Sequence, residues 1–107
     1  MMAYRAPYII ENRKIRFGLI GCGRISGRHF DALKAHAQRA ELVAVCDLDR
    51  NVADRAGVDQ NAPAFTSIKD LLDGSETDVV VLCTPSGLHP AQTMEIARAG
   101  RHVVTEK

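Results

Sequence analysis

The sequence predicts an α/β domain: a parallel sheet of about five strands in the order 3-2-1-4-5, with helices on both faces. Three observations carry this. Short apolar runs alternate with helical segments five times along the 107 residues. Two of the runs, Leu42 to Cys46 and Val79 to Cys83, are apolar at every position, as strands covered on both faces are. The first run ends in a glycine turn that opens directly into an amphipathic segment, the order of a strand–turn–helix unit with a right-handed crossover.

Each element follows from its residues. Lys14 to Ile20 is short, apolar and stopped by glycine, and makes the first strand. From Ser26 the residues Phe30, Leu33 and Ala37 fall on one helical stripe of roughly three turns. Leu42 to Cys46 is the second strand, and Asp47 ends it. Asp49 to Ala56 suits a short helix stopped at Gly57, followed by loop chemistry at Asp59 to Pro63 and a brief third strand at Ala64 to Thr66. Ser67 and Asp70 have capping-box spacing, which sets a helix over Leu71 and Leu72 that stops at Gly74. Asp78 to Cys83 is the fourth strand. After the turn at Thr84 to Gly87, Thr93, Ile96, Ala97 and Gly100 keep helical spacing, with Arg98 and Arg101 near the negative end of the helix dipole. His102 to Thr105 is the fifth strand. Met1 to Lys14 divides into a leader, residues 1–13, read as frayed and flexible, and the start of a domain spanning 14–107.

Composition narrows the function. A sequence 46% hydrophobic and 25% charged supports one modest core, and a formal charge of +1 without a basic run argues against nucleic acid and an anionic membrane surface. The longest apolar run is far short of the roughly 20 residues that cross a bilayer. Cys22, Cys46 and Cys83 are odd in number and lack a Cys-x-x-Cys pair, so no disulfide framework or metal site is expected and a reducing cytoplasm fits.

In a sheet of this order, ligands bind beyond the carboxyl ends of the strands, where strands one and four diverge. Gly21 permits the tight turn there. Gly23 lacks the Cβ that would hold a pyrophosphate off the backbone, while Arg24 and Ile25 lead into the helix N-terminus. The third small position of the Gly-x-Gly-x-x-Gly pattern is Ser26, where the requirement is close packing, and Gly27 is a bystander. Asp47 lies about 20 residues on, at the end of strand two, placed to accept from ribose hydroxyls and to repel a 2′-phosphate. This favours NAD over NADP, with Arg50 near enough to blunt the preference. Enzymes that use S-adenosylmethionine also combine a glycine turn with an acid after strand two, so the fingerprint leaves both ligands open.

The remaining motifs narrow the choice. Gly21-Cys22-Gly23-Arg24-Ile25-Ser26 with His29, Asp47, Cys83-Thr84-Pro85-Ser86-Gly87-Leu88-His89 and the terminal Glu106-Lys107 together resemble the glucose-fructose oxidoreductase / inositol dehydrogenase family, over Lys14 to Lys107. Within it, the sequence looks most like the oxidases (3-dehydrogenases) of UDP-N-acetylglucosaminuronic acid that serve bacterial surface-polysaccharide synthesis. The resemblance implies a Rossmann-type domain binding NAD, with Thr84, Pro85 and Leu88 along the nicotinamide half and His89 nearby. It also implies that Glu106 and Lys107 are the start of a Glu-Lys-Pro motif, with Glu106 at the cofactor and Lys107 the catalytic lysine that assists proton transfer from a sugar hydroxyl. A lysine suits that work once burial or a neighbouring cation lowers its pKa. Hydride then passes from a ring carbon of a sugar or nucleotide-sugar to the nicotinamide.

Family members carry a second, α+β domain after this motif, and it supplies the substrate pocket and usually the oligomer interface. The sequence stops before it. The expectation is therefore a cofactor-binding portion with little turnover by itself, since positioning supplies roughly 7–11 kcal/mol of a barrier. Its exposed fifth strand favours self-association or a homo-oligomer. A module that senses NAD without turnover is the competing reading, and a methyltransferase-like domain the third. For His29 a packed or capping role is expected, for His89 either a cap or a wall of the site, and for the three cysteines small buried filler.

Overall fold

A computed structural model describes residues 4–105. Along the chain run β1 (Ile15–Ile20), α1 (Ser26–Ala35), β2 (Ala40–Cys46), α2 (Arg50–Gln60), β3 (Ala64–Phe65), α3 (Ile68–Gly74), β4 (Val79–Leu82), a 3₁₀ turn (Ser86–Leu88), α4 (His89–Arg98) and β5 (His102–Thr105). The five strands form one sheet in the order β3-β2-β1-β4-β5, and every pairing is parallel. This is the topology the alternation predicts.

Two cores lie on the two faces. On one, Leu71 and Leu72 of α3 and Ile96 of α4 pack over Ile20, Ala44, Cys46, Val80 and Leu82. On the other, Phe30 of α1 packs over Leu19, Val45 and Val81. Strand alternation would put Leu42 on the same face as Ala44, yet Leu42 joins the Phe30 face. The β1–β2 register explains this: Phe17 pairs with Leu42 and Gly18 with Ala44, so Val43 is an extra residue in a bulge that turns the strand over.

Several boundaries move for physical reasons. α1 ends at Ala35, two residues before Ala37. α2 runs through Gly57 to Gln60 and stops at Asn61, whose φ of 54° is the left-handed cap conformation. Gly57 is there for space, because an added Cβ would stand 2.7 Å from the Ala62 carbonyl oxygen. Asp78 and Cys83 flank β4 instead of belonging to it. Arg101 does not serve α4 alone. It is buried, and its guanidinium donates to the carbonyls of Leu72 and Ser75 at the end of α3, to Thr77 and to Ala99, closing the α3–β4 connection.

The described part of the leader is attached at the amino ends of the central strands. Arg13 makes a two-pronged ion pair with Asp78 (2.7 and 3.0 Å), Tyr4 donates its hydroxyl to the same carboxylate, and the Arg16 N–H donates to it at 2.9 Å. Ala6 N–H bonds the Gly100 carbonyl, and the Tyr4 ring lies 5.4 Å from the Arg101 guanidinium carbon. Burial pushes the Asp78 carboxyl up, but the bonds from Arg13, Tyr4 and Arg16 outweigh it and bring the pKa to about 2.

Candidate cofactor site

The opposite, carboxyl ends of β1, β2 and β4 open onto a cleft of about 310 Å³. Its floor is the glycine turn. Gly21 has φ +92°, and a Cβ there would meet the Cys83 carbonyl carbon at 2.8 Å, so both the turn and the approach to the end of β4 require glycine. At Gly23 an added Cβ would have no heavy atom within 4 Å, because that position faces the open cleft. The turn is fastened behind by Ser26, which is buried and donates its hydroxyl to the Gly23 carbonyl. Serine is thus small enough for the packing position and also supplies a bond that glycine could not.

Asp47 ties the turn to β2. One carboxylate oxygen accepts from the Cys22 N–H and the other from the Asp49 N–H, each at 2.9 Å. The carboxylate is half-buried at the cleft wall, so its orientation is set before any ligand arrives. α2 and α3 are capped by the side chains of Asp49 and Ser67, whereas no side chain caps α1, whose first turn follows the glycines.

Of the expected site residues, Gly21, Gly23, Asp47, Thr84, Pro85 and Leu88 meet in this one cleft. Arg24 and Ile25 sit exposed beside it, in the turn entering α1. His89 lies behind it. The residue is 9% exposed, and Nε2 stands 2.7 Å from the Thr84 carbonyl, which can only accept, so Nε2 carries the proton. This is neither expected role: no side chain caps α4, and the ring stands outside the cleft lining, bracing the Thr84 backbone. Glu106 and Lys107 lie outside the described residues. His29 is half-buried on α1, away from the cleft.

Four lining residues escape a reading of the sequence by motif: Leu48, Ser67, Ile68 and Gln92. Leu48 follows the acid and is 88% exposed, an apolar side chain at the rim of the cleft. Ser67 carries the only advance signal, its capping box, and its hydroxyl does accept the Asp70 N–H at 3.0 Å. Cys46 and Cys83 also border the cleft, and Cys22 lies in the turn. Burial, assisted by Asp47, raises the Cys22 thiol to about 11, and burial raises Cys46 to about 12, so both stay protonated and unreactive at neutral pH. Among the described residues no cluster of His, Cys, Asp or Glu could hold a metal ion, and no helix is long and apolar enough to cross a membrane.

A glycine cradle open to a ligand, an oriented acid after β2 and a polar-apolar wall after β4 define a Rossmann-type dinucleotide-binding domain. Residues 15–107 match the oxidoreductase family with an NAD-binding Rossmann fold that unites the Gfo, Idh and MocA proteins. The chain belongs to this family and constitutes its NAD-binding domain. It is 53% identical to the WlbA dehydrogenase of Bordetella pertussis (TM-score 0.87), whose crystal structure contains NADH and UDP-GlcNAcA, over 89% of this chain and 30% of that one. The corresponding protein of Chromobacterium violaceum, solved with the same two ligands, is 48% identical (TM-score 0.89) over 100% of this chain and 30% of its own. Among curated proteins, a glycosyl hydrolase family 109 protein of Shewanella putrefaciens is 33% identical over 86% of this chain and 22% of its own length. The chain therefore spans between about a fifth and a third of these relatives.

Proposed function

We propose that this chain is the cofactor-holding part of a cytoplasmic dehydrogenase that takes a hydride from a ring carbon bearing a hydroxyl, on a sugar or nucleotide-sugar, in bacterial surface-polysaccharide synthesis. The observation that carries the reading is the convergence of Gly23, Asp47 and Thr84 on one cleft, in a chain half identical to two dehydrogenases whose crystals hold NADH and UDP-GlcNAcA. The cofactor, NAD, supplies a hydride acceptor when bound.

The chain's own residues do the rest. Gly21 and Gly23 let a pyrophosphate reach the backbone at the uncapped start of α1, beside Arg24 and Ile25. Asp47, already oriented by Cys22 and Asp49, accepts from ribose hydroxyls and repels a 2′-phosphate. Thr84, Pro85 and Leu88 bound the nicotinamide end, with His89 holding the Thr84 backbone in place. Glu106 adds a cofactor contact, and Lys107 takes the proton of the reacting hydroxyl. Sugar positioning belongs to the remainder of a longer protein, so these residues alone give little turnover. β5, a sheet edge among the described residues, provides a route to self-association or a homo-oligomer.

Calorimetry with NADH, NADPH and S-adenosylmethionine tests the core of this reading. Tighter binding of NADH than of NADPH is the expected result. Binding of the sulfonium compound alone would overturn it.

A further inference from the structure

The end of β4 is held from behind by two residues of α4 that stand one helical turn apart. His89 donates to the Thr84 carbonyl, and the Thr84 hydroxyl donates to Oε1 of Gln92 at 2.5 Å. Gln92 also lines the cleft, three residues into a helix whose first residue is the buried His89. A hydroxyl has one proton and two lone pairs. With its proton directed at Gln92, Thr84 Oγ1 offers the cleft lone pairs only, and this end of the cleft recognises an N–H or O–H donor.

We propose that Gln92 is a positioning residue: it takes the Thr84 hydroxyl proton and so makes Thr84 an acceptor for the carboxamide N–H of a nicotinamide. The inference rests on the NAD reading above. It makes a distinction that neither the glycine turn nor Asp47 can make, because those residues lie at the pyrophosphate and ribose positions of the sheet edge and are indifferent to the carboxamide. In Gln92→Leu the Thr84 hydroxyl loses its partner and can turn its proton into the cleft, where it opposes another donor.

The test measures dissociation constants of the 107-residue chain by titration calorimetry. The ligands are NADH, ADP-ribose, which ends before the nicotinamide, and reduced 3-acetylpyridine adenine dinucleotide, which keeps the carbonyl and lacks the amide N–H. Gln92→Leu should weaken NADH about five- to tenfold, the worth of one hydrogen bond. It should leave ADP-ribose and the acetylpyridine analogue unchanged. Gln92→Glu, whose carboxylate also accepts the Thr84 proton, should hold NADH close to the wild-type affinity. Thr84→Val should reproduce the loss for NADH, and the double variant Thr84→Val/Gln92→Leu should add nothing to it. Thr84→Val and Gln92→Glu, neither of which carries the leucine, keep the question decidable if Gln92→Leu folds poorly: loss of NADH affinity in the first and its retention in the second are expected, and the reverse would overturn the proposal. Unchanged NADH affinity in Gln92→Leu, or an equal loss for ADP-ribose, would overturn the proposal. Failure of ADP-ribose to bind the wild type would instead remove the NAD reading on which it stands.

Discussion

At the scale of single residues, the glycine turn separates two demands that the motif writes with one letter. Gly21 is required by its own fold, through its positive φ and the Cys83 backbone 2.8 Å from where a Cβ would be. Gly23 is not, because nothing occupies the space its Cβ would fill. Gly23→Val should therefore leave the melting temperature within a few degrees of wild type while abolishing NADH binding; retained affinity would place the ligand elsewhere. Asp47 has the opposite character. It anchors the N–H groups of Cys22 and Asp49 besides facing the cleft, so Asp47→Ala should both relax discrimination between NADH and NADPH and cost about 1–3 kcal/mol of stability. Calorimetry reads the first effect and urea unfolding the second, and unchanged selectivity would deny Asp47 the ribose role.

At the scale of elements, strands and helices were legible because each carries its own punctuation. Asp49 and Ser67 cap α2 and α3 as their positions suggest. What misled was glycine used for space. Gly57 reads as a helix stop, yet α2 continues through it because the chain returns over that point at Ala62 and Ala64. Helix propensity alone would have Gly57→Ala stabilise by about 1 kcal/mol. With the Ala62 carbonyl oxygen at 2.7 Å from the new methyl, we expect net destabilisation of about 1–3 kcal/mol in a urea melt. A gain would show that the α2–β3 connection yields easily. The Val43 bulge and the buried Arg101 were equally invisible, since one needs the register against β1 and the other the carbonyls of α3.

At the scale of the whole molecule, the two ends of the sheet divide the labour. The carboxyl ends carry the cleft, and the amino ends are tied together by Asp78, which joins the leader through Tyr4 and Arg13 to β1 and β4. The Asp78 side chain is fully buried, and its pKa lies at about 2 against an ordinary value of 3.8. A depressed carboxyl favours the folded state above its unfolded pKa and ceases to do so as pH falls through its folded one. The contribution, about 2 kcal/mol at neutral pH, should thus disappear between about pH 4 and pH 2. Arg13→Ala removes the two-pronged partner, so its stability deficit against wild type should be largest at neutral pH and shrink across that window in urea melts. A deficit independent of pH would mean that Arg13 acts through packing alone.

The sequence by itself determined the alternation of elements, the sheet order and the glycine turn with its acid, and only with Cys83 to His89 and the terminal Glu106-Lys107 added did its resemblance point to the family and its NAD cofactor. Each of those is written within a short stretch, in periodicity, caps and turn residues that act on their neighbours. Only the tertiary structure decided which side chains share the cleft. Ser67, Ile68 and Gln92 come from the starts of α3 and α4 and carry no local mark of a site, and His89 turned out to hold the Thr84 backbone from behind. The reason is geometric. A parallel sheet gathers residues at its carboxyl edge from strands far apart in the chain, and membership of that edge depends on register and crossover, not on the neighbours a residue has in sequence.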